Sequence, residues 1–131
     1  MNYGGNSFPR STAETHAERL PIWNYIDHSK LVGVAAIPDG TFEVGKKFSA
    51  GTPVQLGKDG ENPKIADAAT KPDGLLRADV VVGEGGCTLT IVRSGSIRIK
   101  LVEATISEAQ REYLEVRGIE FDEEPFVKVE P

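Results

Sequence analysis

The chain has few of the residues that build cross-links and metal sites. It contains one cysteine in 131 residues, Cys87, so it forms neither an internal disulfide nor a cysteine-rich zinc site. Its two histidines, His16 and His28, do not have the spacing of a zinc-binding pair. We therefore expect no metal and no other cofactor, and a protein made in a reducing cytoplasm.

Long apolar runs and clustered basic residues are also missing. The longest apolar run, residues 31–37, is far shorter than the roughly 20 residues that span a bilayer. The chain does not open with the basic and apolar segments of a secretory signal. Its net charge is −5, whereas nucleic-acid binding by counterion release needs clustered Lys and Arg. We expect neither a membrane nor a nucleic acid as partner.

What the sequence does have is turn-forming residues. It contains 14 glycines and 8 prolines, where average usage would give about 9 and about 7. Apolar or alternating segments lie between these turns, as in a domain of short β-strands. The predicted strands are residues 31–37, 41–44, 51–56, 74–82, 88–92, 96–101 and 119–121.

Two connections late in the chain are predicted in more detail. Residues 93–95 contain a glycine and suit a tight hairpin between the flanking strands. Ser107 followed by Gln110 is a capping box, and Gly118 is a typical helix stop. The sequence therefore predicts one helix between them, with Ala109, Tyr113 and Val116 on its apolar stripe and Leu114 beside them.

The first residues differ from the rest. Residues 1–20 have no hydrophobic period and little to bury, so they cannot offset the entropy of ordering by themselves. We predict an extended, flexible N-terminal arm over residues 1–22 and a β-rich domain over residues 23–131. The alternative for the arm is a short helix over Thr12 to Leu20, capped by Ser11 or Thr12.

Aromatic residues gather where the arm meets the domain. In one interpretation Trp23 simply caps the core. In the other, Trp23 and Tyr25 anchor a partner, because aromatic residues dominate interface hot spots. The candidate partner-binding residues are Phe8, Ile22, Trp23 and Tyr25.

The sequence offers little for catalysis. His28 follows Asp27 in a predicted loop, and Cys87 enters a strand with no histidine near it in sequence. The glycines of residues 51–58 do not form a phosphate loop, since Asp59 stands where such a loop has Ser or Thr. We therefore expect a protein that is not an enzyme.

A series of short segments resembles the tailed-phage head decoration and head-fibre proteins. In order they are Lys30-Leu-Val-Gly-Val34, Phe48-Ser-Ala-Gly-Thr-Pro-Val54, Gly74-Leu-Leu76, Val92-Arg-Ser-Gly-Ser-Ile97, Ser107-Glu-Ala-Gln110 and Gly118-Ile-Glu-Phe121. They span residues 30–121. The arm, the tail (122–131) and the insert at residues 57–73 lie outside the resemblance.

The resemblance implies a fold and a function. The fold is a β-rich small barrel or β-tulip-like domain with one C-terminal helix. The function is that of a structural virion protein, a homotrimer on the capsid exterior that binds the major capsid protein and stabilises the capsid or carries a head fibre. A lambda-type decoration domain likewise has an N-terminal arm that orders on the capsid.

Two other hypotheses remain open at this stage. In a carbohydrate-binding or adhesion module, Trp23 and Tyr25 would form an exposed stacking platform. In a small β-barrel enzyme, Asp27, His28 and Cys87 would converge in one pocket.

Overall fold

Short strands dominate the part of the chain that the structure, a computed structural model, describes, which is residues 21–124. The strands are β1 (Trp23–Ile26), β2 (Leu31–Ala36), β3 (Lys47–Phe48), β4 (Pro53–Gln55), β5 (Lys64–Ile65), β6 (Gly74–Leu76), β7 (Val80–Val81), β8 (Cys87–Val92), β9 (Gly95–Arg98) and β10 (Ile119–Asp122). One α-helix, α1 (Glu108–Arg117), precedes β10. The mainly β fold with a single late helix is confirmed for these residues.

Within residues 21–124 the strands form three sheets. The largest has the order β2-β8-β6-β4-β5 and is antiparallel throughout. A second has the order β10-β9-β1, in which β9 is parallel to β10 and antiparallel to β1. The third is the pair β3-β7. Helix α1 connects the two parallel strands, as parallel neighbours require a crossover.

The five-stranded sheet separates two hydrophobic cores. The first core consists of Val34, Ala36, Phe42, Phe48, Val54, Leu76, Val82, Leu89 and Ile91. The second lies between this sheet, the three-stranded sheet and α1, and consists of Trp23, Leu75, Val92, Ile97, Leu114, Ile119 and Phe121.

Strands β6 and β8 contribute to both cores. Leu75 pairs with Val92 and belongs to the second core, whereas Leu76 pairs with Ile91 and belongs to the first. All four side chains are almost completely buried. Neighbouring residues of a strand point to opposite faces of its sheet, so this pair of strands is the wall that the two cores share.

The predicted hairpin at residues 93–95 is wrong. Strand β8 belongs to the five-stranded sheet and β9 to the three-stranded sheet, so the chain changes sheet at this turn. At the turn Gly95 has a φ of 159°, and a Cβ there would lie 2.6 Å from the carbonyl oxygen of Tyr25. Only glycine fits at this position. A short turn that contains glycine therefore occurs here at a change of sheet, although the same pattern is typical of a hairpin.

The helix forms where the sequence predicts it. Ser107 accepts a hydrogen bond from the Gln110 amide, and the Gln110 side chain accepts one from the Ser107 amide, which is the expected capping box. The predicted apolar stripe is formed only in part: Leu114 is buried and Tyr113 packs against the second core, but Ala109 and Val116 are exposed. The other buried residue of the helix is Gln110. Gln110 is buried since its Nε2 donates to the carbonyls of Asp67 and Thr70.

Three further predictions of local structure need correction. Residues 41–44 form no strand, since Gly40–Phe42 is a 3-10 turn that buries Phe42 and leaves Val44 exposed. Residues 74–82 are two strands, β6 and β7, in different sheets. The strand predicted at residues 96–101 ends at Arg98, and Ile99–Leu101 is a 3-10 turn. Residues 74–82 contribute to both cores, whereas Phe42 packs only in the first core and Ile97 and Ile99 only in the second.

No helix among the described residues is long and apolar enough to cross a membrane. The predicted arm lies outside the described residues except for Pro21 and Ile22, and the tail lies outside them beyond Glu124.

Two strand glycines provide a matched test of this architecture. A Cβ at Gly74 would lie 2.4 Å from the carbonyl oxygen of Val92, whereas a Cβ at Gly33 would meet no atom within 4 Å. We expect Gly74→Ala to lower the free energy of unfolding by about 1–3 kcal/mol, the usual cost of overpacking. Gly33→Ala should leave it unchanged or raise it by about 0.5–1 kcal/mol, because Ala loses less backbone entropy. Urea unfolding of both variants measures this, and equal effects would contradict the close β6–β8 packing.

Candidate functional site

The junction between arm and domain is an anchored edge strand. Strand β1 lies at the edge of the three-stranded sheet and is the first element after the arm. Trp23 is buried in the second core, and its indole Nε1 donates to the carbonyl oxygen of Arg77 at 2.9 Å. A buried indole N–H needs such a partner, so the hydrogen bond fixes the ring as well as satisfying it. The structure thus supports the interpretation in which Trp23 caps the core.

Arg98 holds the residues just before β1. Its backbone amide donates to the carbonyl oxygen of Ile22 and its guanidinium Nη1 donates to that of Pro21, both at 2.7 Å. Ile22 itself is half-buried against the second core. The chain is therefore fixed to the sheet up to Pro21, where the described residues begin.

Tyr25 is the exposed aromatic residue of this strand. Its side chain is 58% accessible, and it sits opposite Ser96 in the register of β1 and β9. The register shifts beside it, and the amide of Asn24 donates to Ser96 Oγ and to Asp122 Oδ2. These bonds link all three strands of the sheet at the position next to Tyr25.

The predicted site residues therefore have different positions. Ile22 and Tyr25 reach the surface at the edge strand, Trp23 does not, and Phe8 lies outside the described residues. The exposed stacking platform of Trp23 and Tyr25 is not formed. The two residues are two positions apart and would share a face of a regular strand. The register of β1 with β9 shifts between them, and Trp23 is buried in the second core while Tyr25 is exposed.

The residues expected to converge in an enzyme pocket are far apart. Leu31 at the start of β2 pairs with Val92, and Ala36 at its end pairs with Cys87. Cys87 therefore lies beside the last residue of β2, whereas His28 precedes its first residue. These two ends of β2 are five residues, or about 17 Å, apart. That convergence is wrong: it was inferred from residue types, and nothing in the sequence specified the strand register that separates them.

Their local chemistry is structural as well. The Asp27 carboxylate accepts hydrogen bonds from the amide and hydroxyl of Ser29, which hold the pKa of Asp27 below its ordinary value. These bonds cap the short turn His28–Lys30. Burial raises the pKa of the Cys87 thiol, which lowers the fraction of reactive thiolate at neutral pH.

A groove separates the two edges of the five-stranded sheet. Strands β2 and β5 are the first and last strands of that sheet, yet Ala35 and Ala36 of β2 line the same cavity of about 610 Å³ as Lys64 and Ile65 of β5. The sheet therefore curls until its edges face each other without pairing. We call this space the seam groove; its lining also includes Ile37, Asp39, Phe42 and Asn62.

The seam groove continues beside β2 into a second cavity of about 500 Å³. Its walls are Gly33 and Ala35 of β2 and the turn that contains Asp59 and Glu61. Ile37, 72% exposed, and Asn62 line both cavities. The groove has an apolar floor. Its rim is acidic at the second cavity, with Asp59 and Glu61, and carries both Asp39 and Lys64 at the first.

A basic cavity of about 560 Å³ lies at the corner where β8 meets β9. Lys30, Arg93 and Arg117 line it together with Asp73 and Ser94. One oxygen of the Asp73 carboxylate accepts a hydrogen bond from the backbone amide of Leu56 at 2.7 Å, so this carboxylate already has a partner within the domain. The cavity would attract an anionic group, although all three cations lie on the exposed surface.

No group of three or more potential metal ligands is present among residues 21–124. Compared with known proteins, the chain matches no family model, no curated protein and no solved structure.

Sequence reasoning missed two features of the site. The seam groove depends on which strands are sheet edges, and short apolar segments do not reveal this. The only available signal was that residues 31–37 contain no charged residue, which is unusual for an edge strand. The role of Arg98 was also missed, because nothing in the sequence indicates that its side chain binds the carbonyl oxygen of Pro21.

The reactivity of Cys87 tests its structural role. Since its pKa is raised, the native thiol should react several-fold more slowly with iodoacetamide at pH 8 than the same thiol in urea-unfolded protein. The native rate should keep rising at a pH where that of the unfolded chain has levelled off, because the thiolate forms at higher pH. Mass spectrometry of the alkylated protein over time measures both rates. A native rate above the unfolded one would indicate an activated nucleophile.

Proposed function

We propose that this chain is a structural virion protein without catalytic activity. In this proposal it binds the outside of a tailed-phage capsid as a homotrimer, with the major capsid protein as its partner, and stabilises the capsid or carries a head fibre. The observation that carries the proposal is the anchored edge strand β1, which joins the N-terminal arm to the core of the domain.

The anchoring suits a protein that must transmit force. A pull on the residues before Pro21 acts first on Arg98, which holds the carbonyl oxygens of Pro21 and Ile22, and then on Trp23 in the second core. Extracting a buried tryptophan costs about 3–5 kcal/mol, judged from truncations of buried aromatic residues. An arm attached in this way holds its partner without unravelling the domain.

The same strand offers a contact surface. Tyr25 presents a large aromatic side chain at a sheet edge, next to the point where the arm begins. Extended segments add to such edges through backbone hydrogen bonds, and neighbouring side chains set the register. Three arms on one trimer would raise the overall affinity through effective concentration, so each contact surface need bury only about 800 Å².

The arm is tested by removal. We expect deletion of residues 1–20 to weaken binding to heads isolated from a phage that encodes this chain by at least tenfold, since the arm supplies the extended contact. Co-sedimentation of purified protein with heads that lack it measures the affinity. The unfolding midpoint of the truncated protein is the control for folding. Unchanged binding would remove the arm from the mechanism.

The exposed aromatic is tested by substitution. Tyr25→Ala should weaken head binding by about tenfold, because truncating an interface hot spot costs above 1 kcal/mol. The matched control is Val116→Ala, which removes another exposed apolar side chain, 89% accessible on α1. Both variants should unfold at nearly the wild-type urea concentration. If the two variants bind equally well, Tyr25 is not a contact residue.

The trimer is tested by the mass in solution. Light scattering of the purified protein should give about three times the chain mass of 14.1 kDa. A strict monomer at high concentration would contradict the trimer, and head binding would then be measured on the monomer.

A further inference from the structure

The seam groove is shaped like the place of a missing strand. The β2 and β5 edges of one curled sheet face each other across it, and β2 has no partner on its groove side among residues 21–124. An extended segment laid between the edges would pair with β2 and continue the sheet. Strand addition of this kind draws its affinity from backbone hydrogen bonds.

The register shows which backbone groups of β2 face the groove. The carbonyl oxygen of Thr90 in β8 accepts from the amide of Arg77, on the side away from β2. Its β2 partner, Gly33, is therefore in a non-hydrogen-bonded pair, and the N–H and C=O of Gly33 point away from β8. Ala35, two residues along the strand, has the same orientation. These donors and acceptors face the groove.

This edge lacks the usual protection against strand addition. Natural edge strands carry Lys, Pro or a bulge that discourages pairing. Strand β2 has none of these, and its register with β8 is continuous from Leu31 to Ala36. Gly33 and Ala35 are both exposed, and neither has a side chain large enough to block a neighbouring strand. An edge left open in this way is suited to a specific occupant.

The geometry points to residues 125–131 of a neighbouring copy of this chain as that occupant. The inference deepens the homotrimer of the proposed function and rests on it. In a head-to-tail arrangement each copy gives its C-terminal segment to the seam groove of the next, and such a heterologous contact closes into a ring when the rotation fits.

The sequence of the segment fits the groove. Its residues Pro-Phe-Val-Lys-Val-Glu-Pro place five strand-compatible residues between two prolines, about 17 Å of extended chain beside the six residues of β2. Val127 and Val129 would share the face toward the apolar floor. Lys128 would face the other way, toward the acidic rim of Asp59 and Glu61. Residues 1–20 offer no comparable alternation of β-branched residues.

Chain length argues for a neighbouring copy. Strand β10 belongs to the three-stranded sheet over the second core, whereas the groove is lined by Val34, Ala36 and Phe42 of the first core. Packed sheets lie about 10 Å apart, and the two residues from Glu124 to Phe126 span at most about 7 Å. The amide of Glu124 donates to the Asp122 carboxylate, which holds it at the end of β10. A segment that starts there fits the groove of another molecule and not its own.

Complementation between two variants tests the exchange. One chain ends at Glu124 and keeps its groove; the other carries Ala35→Pro, which removes an amide facing the groove and keeps its C-terminal segment. Each alone should lose the trimer, and an equimolar mixture should form a one-to-one heterodimer in light scattering. Ala35→Ser, which retains the amide, should remain trimeric. The unfolding midpoint of each variant shows that it is folded. A trimer of the truncated chain, or a mixture that stays monomeric, would overturn the inference.

A charge exchange tests the rim without altering the backbone. Lys128→Glu and Glu61→Lys should each weaken the trimer by at least tenfold in dissociation constant, and the double variant should recover most of the loss. Lys58→Glu is the matched control, since Lys58 is exposed in the same turn but does not line the groove. Absence of recovery would overturn the placement of Lys128. Head binding is measured separately, so that the two proposals can fail independently. If the truncated chain stays trimeric and binds heads, only the strand exchange is overturned. If the strand exchange occurs but the protein does not bind heads, only the capsid function is overturned.

Discussion

The close approach of β6 to β8 is the constraint on which the rest of the structure depends. A strand buried on both faces must be apolar at successive positions and must lie near enough to its neighbour to leave no gap. Gly74 permits this, since any side chain there would meet the carbonyl oxygen of Val92. The resulting wall allows a chain with only 39% hydrophobic residues to build two cores, because Leu75 and Leu76 serve one each.

The second core connects this wall to the proposed function. Trp23 packs in that core with Leu75 and Val92 and donates its indole hydrogen to Arg77, the residue that follows β6. Pro21 and Ile22, where the described residues begin, are therefore attached to the second core through a single strand. The register shift between Trp23 and Tyr25 separates a buried side chain from an exposed one, so one short strand supplies both the anchor and the proposed contact surface.

The sequence predicts those features that local chemistry determines. The capping box at Ser107, the stop at Gly118 and the alternation around Leu89 and Ile91 specify their elements without help from the rest of the chain. Pairing across sheets is different, because a three-residue turn with glycine serves a hairpin and a sheet change equally well. The anchor of the candidate site was one of two open interpretations at Trp23, and the seam groove could not be predicted, since it arises from the curl of five strands.

The seam groove is a consequence of how short the strands are. Strand β5 has two residues and β4 has three, so the far side of the sheet offers β2 too little backbone to close a barrel. The turn Gly40–Phe42 fills the interior with Phe42 but provides no strand. A fold of this kind stays open along one edge until another extended segment pairs with it. An oligomer built through that edge would gain backbone hydrogen bonds that the single chain cannot make, and this gives the domain a physical reason to assemble.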